Sequence, residues 1–408
     1  MIRLGYLVPE WPAQTHAFFW RELSALRSFG AAVVLFSTRR PPADACRHDF
    51  AEEARASTRY LFPPRATAAL AVLARRPERT RQAVAYLASL HETAPRERAK
   101  LFALLPCAAD LVAHSDAAGL THLHVHSCAN AAHVAKLAHI LGGPSYSLTL
   151  HGDLPVYGTD HRRKMSSASF VAAVTRPLQR QIMDETKLPI AEVPIIPMGV
   201  DTDRFAPSAS PSPSNAPPTA GRLRVATIAR LNPVKGHGYV LEALHRLKAR
   251  GLDVHYLIAG EGPHREAIEA QVRELGLSDQ VTFAGTVSES GVLETLRASD
   301  VFVLASEGIG EAAPVSVMEA MASGLPVVCS IIGGTADMID DQVDGLLFAQ
   351  RDVDALTRSL ERLALDLDFR ARIGTAARAR ALASFDYRAM ARRLYDAVLQ
   401  SAPARARV

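Results

Sequence analysis

Cysteine is scarce in this chain of 408 residues: Cys46, Cys107, Cys128 and Cys329 lie far apart, and none forms a C-x-x-C pair. That spacing excludes a zinc ribbon and argues against a disulfide framework. It suits a reducing compartment, so a cytoplasmic protein is expected. A charge excess is nearly absent too. Lys and Arg number 46 against 42 Asp and Glu, a net +4 that is too small over this length to point to nucleic acid. No apolar run approaches the ~18 residues expected of a membrane span. Residues 2–8 (IRLGYLV) have no separate apolar core and no small-residue cleavage site, and they read as a first strand, not a signal peptide. G-x-S-x-G and P-loop motifs are missing, which leaves hydrolase and NTPase readings without support.

Apolar residues are plentiful, at 48% of the chain, enough for two sizeable cores. At roughly 100–200 residues per domain, the length predicts two domains. One boundary is plain. Residues 206–221 (APSASPSPSNAPPTAG) carry no large apolar side chain, and so read as a linker or a long surface loop. Beyond it, short apolar strands at 223–229, 254–260, 281–283, 301–304 and 326–329 alternate with amphipathic helices at 238–250, 263–275, 290–298 and 314–322. The first half shows strands at 4–8, 32–36, 123–126, 146–150 and 170–174. This alternation predicts an α/β fold of two Rossmann-like parallel-sheet domains facing a cleft, with ligands held at the carboxyl ends of the strands. Residues 65–113 differ. They read as helices with Arg75, Arg76, Arg79, Arg81, Arg96, Arg98 and Lys100 set among Ala, Leu and Val. An ordinary solvated face and a basic surface resting on anionic lipid both fit that pattern. Residues 401–408 are small and basic and read as a frayed tail.

The densest chemistry lies in 306–328 (SEGIGEAAPVSVMEAMASGLPVV), directly after a strand. Glu311 and Glu319 are separated by seven residues, and Pro314 opens a helix where its missing N–H costs nothing. The amides of Ala313, Val315 and Ser316 would point out of that helix N-terminus, which suits a phosphate group. Glu319 stands one turn further in, able to accept from a ribose diol, while Glu311 sits in the loop within reach of a sugar hydroxyl.

This stretch resembles the E-x7-E motif of retaining GT-B glycosyltransferases, the bacterial nucleotide-sugar enzymes of glycosyltransferase family 4. Other segments resemble the same family. Residues 229–236 (ARLNPVKG) look like its G-R-L-x-x-x-K-G segment, 258–263 (IAGEGP) like its I-x-G-x-G-P turn, and 283–287 (FAGTV) like the turn beside the nucleobase. Residues 197–205 (PMGVDTDRF) resemble its interdomain segment, and 148–152 (LTLHG) its histidine strand. The resemblance implies an acceptor domain over 1–200 and a donor domain over 201–384, with a last helix, 385–400, crossing back onto the first. It implies transfer of a sugar, with retention, from a nucleotide sugar to a saccharide or lipid-linked acceptor, using no metal, cofactor or covalent nucleophile.

The site residues follow from the same resemblance. Arg230 and Lys235 neutralise the leaving diphosphate together with the backbone at Ala313, Pro314 and Val315. Gly260 and Gly262 permit a tight turn close to the nucleotide. Val287 touches the base, Glu319 anchors the ribose, and Glu311 and His151 position the donor sugar. Thr15, His126 and Asn130 belong to the acceptor side. Uridine is expected as the base over guanosine, on family frequency. The loop 8–16 and the helix at 18–26 resemble those of exopolysaccharide and lipopolysaccharide transferases, which implies such a pathway and a peripheral place on the inner face of the cytoplasmic membrane. Two departures stand out. Glu307 with Gly308-Ile309-Gly310 looks like an alternative first glutamate, although Pro314 selects the Glu311 register; and a Pro/Thr-bearing loop replaces the Gly-Gly loop after the first strand. Two other functions share these features: a GT-B sugar phosphorylase or epimerase, and a non-catalytic nucleotide-sugar-binding subunit of a polysaccharide synthase complex.

Two further patterns have structural readings. His122, His124 and His126 alternate and so share one face of a strand, near Cys128 and His133. A metal site or the rim of a cleft would account for them. The D-x-D strings at 352–354 and 366–368 follow no strand, and Asp352 reads as the N-cap of a helix over 355–365.

Overall fold

In the computed structural model, residues 2–207 and 220–401 are described. Most of the expected linker and nearly all of the expected tail therefore lie outside the described residues. The chain divides into two compact units. One runs to Pro197 and resumes at Arg388, and the other spans Met198–Tyr387.

The first unit holds strands β1 (Arg3–Leu7), β2 (Ala32–Ser37), β3 (Thr58–Tyr60), β4 (His122–Val125), β5 (Ser145–Leu150) and β6 (Val171–Ala173), in the order β3-β2-β1-β4-β5-β6. All neighbours pair in parallel. The second unit holds β7 (Arg222–Ile228), β8 (Asp253–Ala259), β9 (Val281–Gly285), β10 (Val301–Leu304), β11 (Val327–Ser330) and β12 (Leu346–Phe348), in the order β12-β11-β10-β7-β8-β9. These pairs too are parallel. The predicted α/β fold with two parallel sheets is thus observed. The sequence reading lacked β3 and β12, edge strands of three residues whose short runs carry little periodicity.

Each sheet reverses its strand order at one point, β1/β4 in the first unit and β7/β10 in the second. There the loops leave in opposite directions and open a crevice at the carboxyl ends of the strands. Helices cover both faces, so β4, β10 and β11 are buried throughout. The last helix, Tyr387–Ser401, places Leu394 and Val398 in the core of the first unit with Tyr6, Phe19 and Leu23.

One expectation needs correction. By length and composition, Pro95–Ala118 is long and apolar enough to cross a membrane. It is built as two helices, Pro95–Leu101 and Leu104–Ala118. The second packs on the helices Ala66–Arg75 and Asn130–Ile140, with Asp110 buried in it and paired to Arg65 at 2.8 Å. The buried residues of the pair lie in the second helix, at Cys107–Val112 and Ser115. The helix over Val315–Ala322 starts one residue later than expected, with Pro314 as its N-cap.

Candidate functional site

In the second unit, the loops that follow β7, β8 and β10 come together. Gly236 ends the β7 loop in a left-handed conformation (φ +67°), and a Cβ there would lie 1.9 Å from the Ala305 carbonyl oxygen just past β10. Only glycine allows that approach. The Glu307 amide donates to the Val234 carbonyl at 2.8 Å, closing the two loops on each other. Lys235 Nζ then pairs directly with Glu311 Oε2, both side chains being 17% exposed. Ser306 Oγ lies 3.4 Å from the same oxygen. Two residues 76 apart in the chain thereby meet at the switch point.

The second glutamate candidate has other partners. Glu307 Oε2 accepts from Tyr239 Oη at 3.0 Å and pairs with Arg351 Nε. Glu319 is buried one turn inside the helix Val315–Ala322, whose N-terminus follows the loop that carries Glu311. Arg230 is exposed just past β7. At the end of β8, a Cβ on Gly260 (φ +147°) would stand 1.9 Å from the Ala229 carbonyl oxygen, and one on Gly262 2.2 Å from that of Leu231. The Gly260 amide donates to the Gly285 carbonyl at 2.8 Å, which ties the turn to the end of β9, and Val287 follows, half-buried. Cations, carboxylates and a helix N-terminus are thus gathered at one end of the sheet, an arrangement able to hold a phosphate-bearing ligand.

In the first unit, His151 follows β5 and His126 follows β4. Their rings meet, with His126 Nδ1 3.1 Å from His151 Nε2. His122 and His124 lie deeper on the same face and are not at a rim. His122 bonds Ser145 Oγ and Ser147 Oγ, and His124 bonds Ser147 Oγ and Thr149 Oγ1, all at 2.8–2.9 Å. Burial lowers all four rings: His122 to about 4, His126 and His151 to about 3, and His124 well below its ordinary value. Thr15 and Asn130 are exposed, whereas His126 is only 4% exposed and turns both ring nitrogens toward protein groups.

Sequence reasoning missed Glu22 and Tyr6. Glu22 Oε1 accepts from Tyr6 Oη at 2.8 Å and lies 3.0 Å from His126 Nε2. Burial raises both the Glu22 carboxyl and the Tyr6 phenol above their usual ranges. A signal for Glu22 was present: it occupies an inward position of Ala17–Ser28, between Phe19, Leu23 and Leu26 at helical spacing.

Among the described residues, no group of three His, Cys, Asp or Glu side chains could hold a metal ion. Asp352 and Asp366, from the two D-x-D strings, cap helices by accepting from the Ala355 and Phe369 amides at 2.8 Å.

Residues 215–380 match the sequence model of a family described as glycosyl transferases group 1. An Escherichia coli K12 protein named for a glycosyltransferase of colanic acid biosynthesis, WcaL, is 33% identical over 211 residues, half of each chain. A Mycolicibacterium smegmatis protein named as a GDP-mannose-dependent phosphatidylinositol monomannoside mannosyltransferase is 31% identical over 258 residues, 60% of this chain and 65% of that one. The chain thus spans between about half and two thirds of the length of these curated relatives. Among solved structures, Anabaena HepE in complex with UDP superposes with a TM-score of 0.74 at 16% identity, covering 98% of this chain and 100% of that one. Sucrose-phosphate synthase from Thermosynechococcus elongatus gives 0.75 at 20% identity, covering 98% of each. The fold is therefore the GT-B fold.

Proposed function

We propose that this chain is a retaining glycosyltransferase that moves a sugar from a nucleoside diphosphate sugar to a saccharide or lipid-linked acceptor in bacterial exopolysaccharide or lipopolysaccharide assembly. The observation that carries this reading is the Lys235–Glu311 pair at the β7/β10 switch point, beside the N-terminus of Val315–Ala322. The match of residues 215–380 to the glycosyl transferase model encloses all of these parts and supports it. So do the names of the relatives and the UDP held by a neighbour of the same fold.

In this reading, the diphosphate displaces Glu311 from Lys235. Lys235, Arg230 and the helix amides then carry the charge that develops on the leaving group. Glu311, once released, accepts from a sugar hydroxyl. Glu319 holds the ribose, Val287 lies against the base, and the turn at Gly260 and Gly262 lets the backbone approach the nucleotide. In the first unit, His151 serves the sugar, and Thr15 and Asn130 serve the acceptor. No metal, cofactor or covalent nucleophile takes part, and uridine is the base.

A thermal-shift panel of nucleoside diphosphates and their sugars tests this. A ligand at 100 times its Kd adds ~2.7 kcal/mol of apparent stability. A shift with uridine diphosphate, lost in Glu319→Ala, is expected; a shift with guanosine diphosphate alone would replace the base, and no shift with any nucleotide would overturn the donor site. Product analysis by NMR with the donor so identified should show the anomeric configuration retained, and an inverted product would overturn the mechanism.

The basic helices of the first unit provide the membrane surface in this proposal. Arg76 is engaged by the Leu141 carbonyl and Asp116, and Arg81 by Glu78, while Arg75 and Arg79 are exposed. Arg75→Ser with Arg79→Ser should weaken sedimentation with anionic vesicles while leaving the melting temperature unchanged. Unaltered vesicle binding would remove the lipid role.

A further inference from the structure

Four histidines share one face of the first unit's sheet, and they divide into two kinds. His122 and His124 have both ring nitrogens bonded to hydroxyls of β5. Hydroxyls donate or accept equally well and impose no tautomer. His126 and His151 are different. One ring nitrogen of each faces the other at 3.1 Å, so a single proton lies between them. The remaining nitrogen of His126, Nε2, faces Glu22 Oε1 at 3.0 Å, off the line of an ideal hydrogen bond. The remaining nitrogen of His151, Nδ1, is buried and has no protein partner.

This asymmetry gives the row a direction. Ionised Glu22 is an acceptor only. Tyr6 Oη donates to its Oε1 at 2.8 Å, which holds the carboxylate in place from the sheet side. A carboxylate facing His126 Nε2 draws the ring proton to that nitrogen. His126 Nδ1 is then an acceptor, so His151 must donate from Nε2. His151 Nδ1 is left with a bare lone pair. The rings have little room to turn: Phe19 packs against both, at centroid distances of 4.7 and 5.3 Å, and Phe18 against His151 at 5.3 Å.

We propose that Glu22, acting through His126, fixes the tautomer of His151 so that its Nδ1 stands as a hydrogen-bond acceptor for a hydroxyl of the transferred sugar. Glu22, Tyr6 and His126 are positioning residues here, and His151 is the group that meets the ligand. The sugar as ligand rests on the transferase reading; the tautomer does not. A buried acceptor without a partner costs about as much as a lost hydrogen bond, and a hydroxyl offered to Nδ1 would relieve it. With the opposite tautomer, Nδ1 would carry a proton and present a donor in its place.

The test is long-range 1H–15N correlation on ring-labelled histidine in the full chain near neutral pH, with His151→Asn to assign the signal. The wild type should show His151 Nδ1 at a pyridine-type shift and Nε2 at a pyrrole-type shift. Glu22→Met, which removes the acceptor but keeps the side-chain length, should bring both nitrogens toward an averaged value. A wild-type His151 protonated at Nδ1, or unchanged shifts in a folded Glu22→Met protein, would overturn the relay. Should Glu22→Met fail to fold, the wild-type spectrum alone decides the tautomer. Kinetics with the donor found above then separates the two claims. Glu22→Met should lower kcat about tenfold, the loss that follows one mismatched hydrogen bond, without changing the affinity for nucleoside diphosphate. A chain with no transferase activity but the expected tautomer would sink the enzyme reading and leave the relay standing.

Discussion

Lys235 and Glu311 form an ion pair in which each partner is mostly withdrawn from water. A half-buried cation held by a movable carboxylate is poised to accept a stronger anion, since a diphosphate offers more charge and more acceptor oxygens. Lys235→Ala should therefore reduce kcat/KM by roughly 100-fold, the scale of losing one stabiliser of developing charge. Glu307 gives the contrast. Its side-chain partners are Tyr239 and Arg351 instead of Lys235, so Glu307→Gln leaves the cation at the switch point untouched. Steady-state kinetics of Glu307→Gln beside Glu311→Gln should show near-normal turnover in the first and a large loss in the second. The reverse result would move the motif to Glu307.

At the level of the elements, the two ends of the second sheet do different work. At the carboxyl end, Gly236 lets the β7 loop touch the residue after β10. Gly236→Ala combines a left-handed backbone with a contact of 1.9 Å to a carbonyl oxygen, and should cost at least ~2 kcal/mol in urea unfolding. At the amino end, the Arg224 guanidinium grips Asp300 at 2.9 and 3.0 Å, and its backbone amide adds a third bond at 2.9 Å. This hydrogen bonding raises the Arg224 pKa. Removal of the carboxylate leaves Arg224 facing buried Arg370, so Asp300→Ala should cost ~3 kcal/mol. A loss below 1 kcal/mol in a urea titration would show that water replaces the pair.

For the molecule as a whole, acid is the sharpest probe, because the buried imidazoles are divided unequally. Among the described residues, burial lowers His114, His122, His124, His126, His133, His151 and His161 in the first unit, but His237 alone in the second. An unfolded histidine titrates near 6.5, whereas those with values here lie at about 3 or 4. Above ~6.5 both states are neutral and stability is unaffected; below it the unfolded chain takes up protons that the folded chain refuses, so stability falls with pH toward the folded values. Raised carboxyls act in the opposite sense. Glu22 does so in the first unit, one group against seven, and Asp344 in the second, one against one. Calorimetry between pH 7 and 5 should show the first unit's transition moving down well ahead of the second's. Equal shifts would mean that the buried histidines reach water before the unit unfolds.

The alternation of short apolar runs with amphipathic helices was sufficient to foresee an α/β fold with two parallel sheets, because the period of apolar residues records which faces are covered. The turn glycines at 260 and 262 and the cap at Asp352 were equally legible, since each answers a local backbone need. The pairings were not. Whether Lys235 meets Glu311 or Glu307 depends on β10 lying beside β7, a neighbour 76 residues away brought in by a parallel crossover. That Leu104–Ala118 packs on the helices Ala66–Arg75 and Asn130–Ile140 is likewise a matter of tertiary contacts. The row from Glu22 through His126 to His151 joins a helix to the ends of two strands. Local spacing carries one-dimensional information about burial, while the choice of a charge's partner is made in three dimensions, where packing and desolvation decide which groups must share a proton.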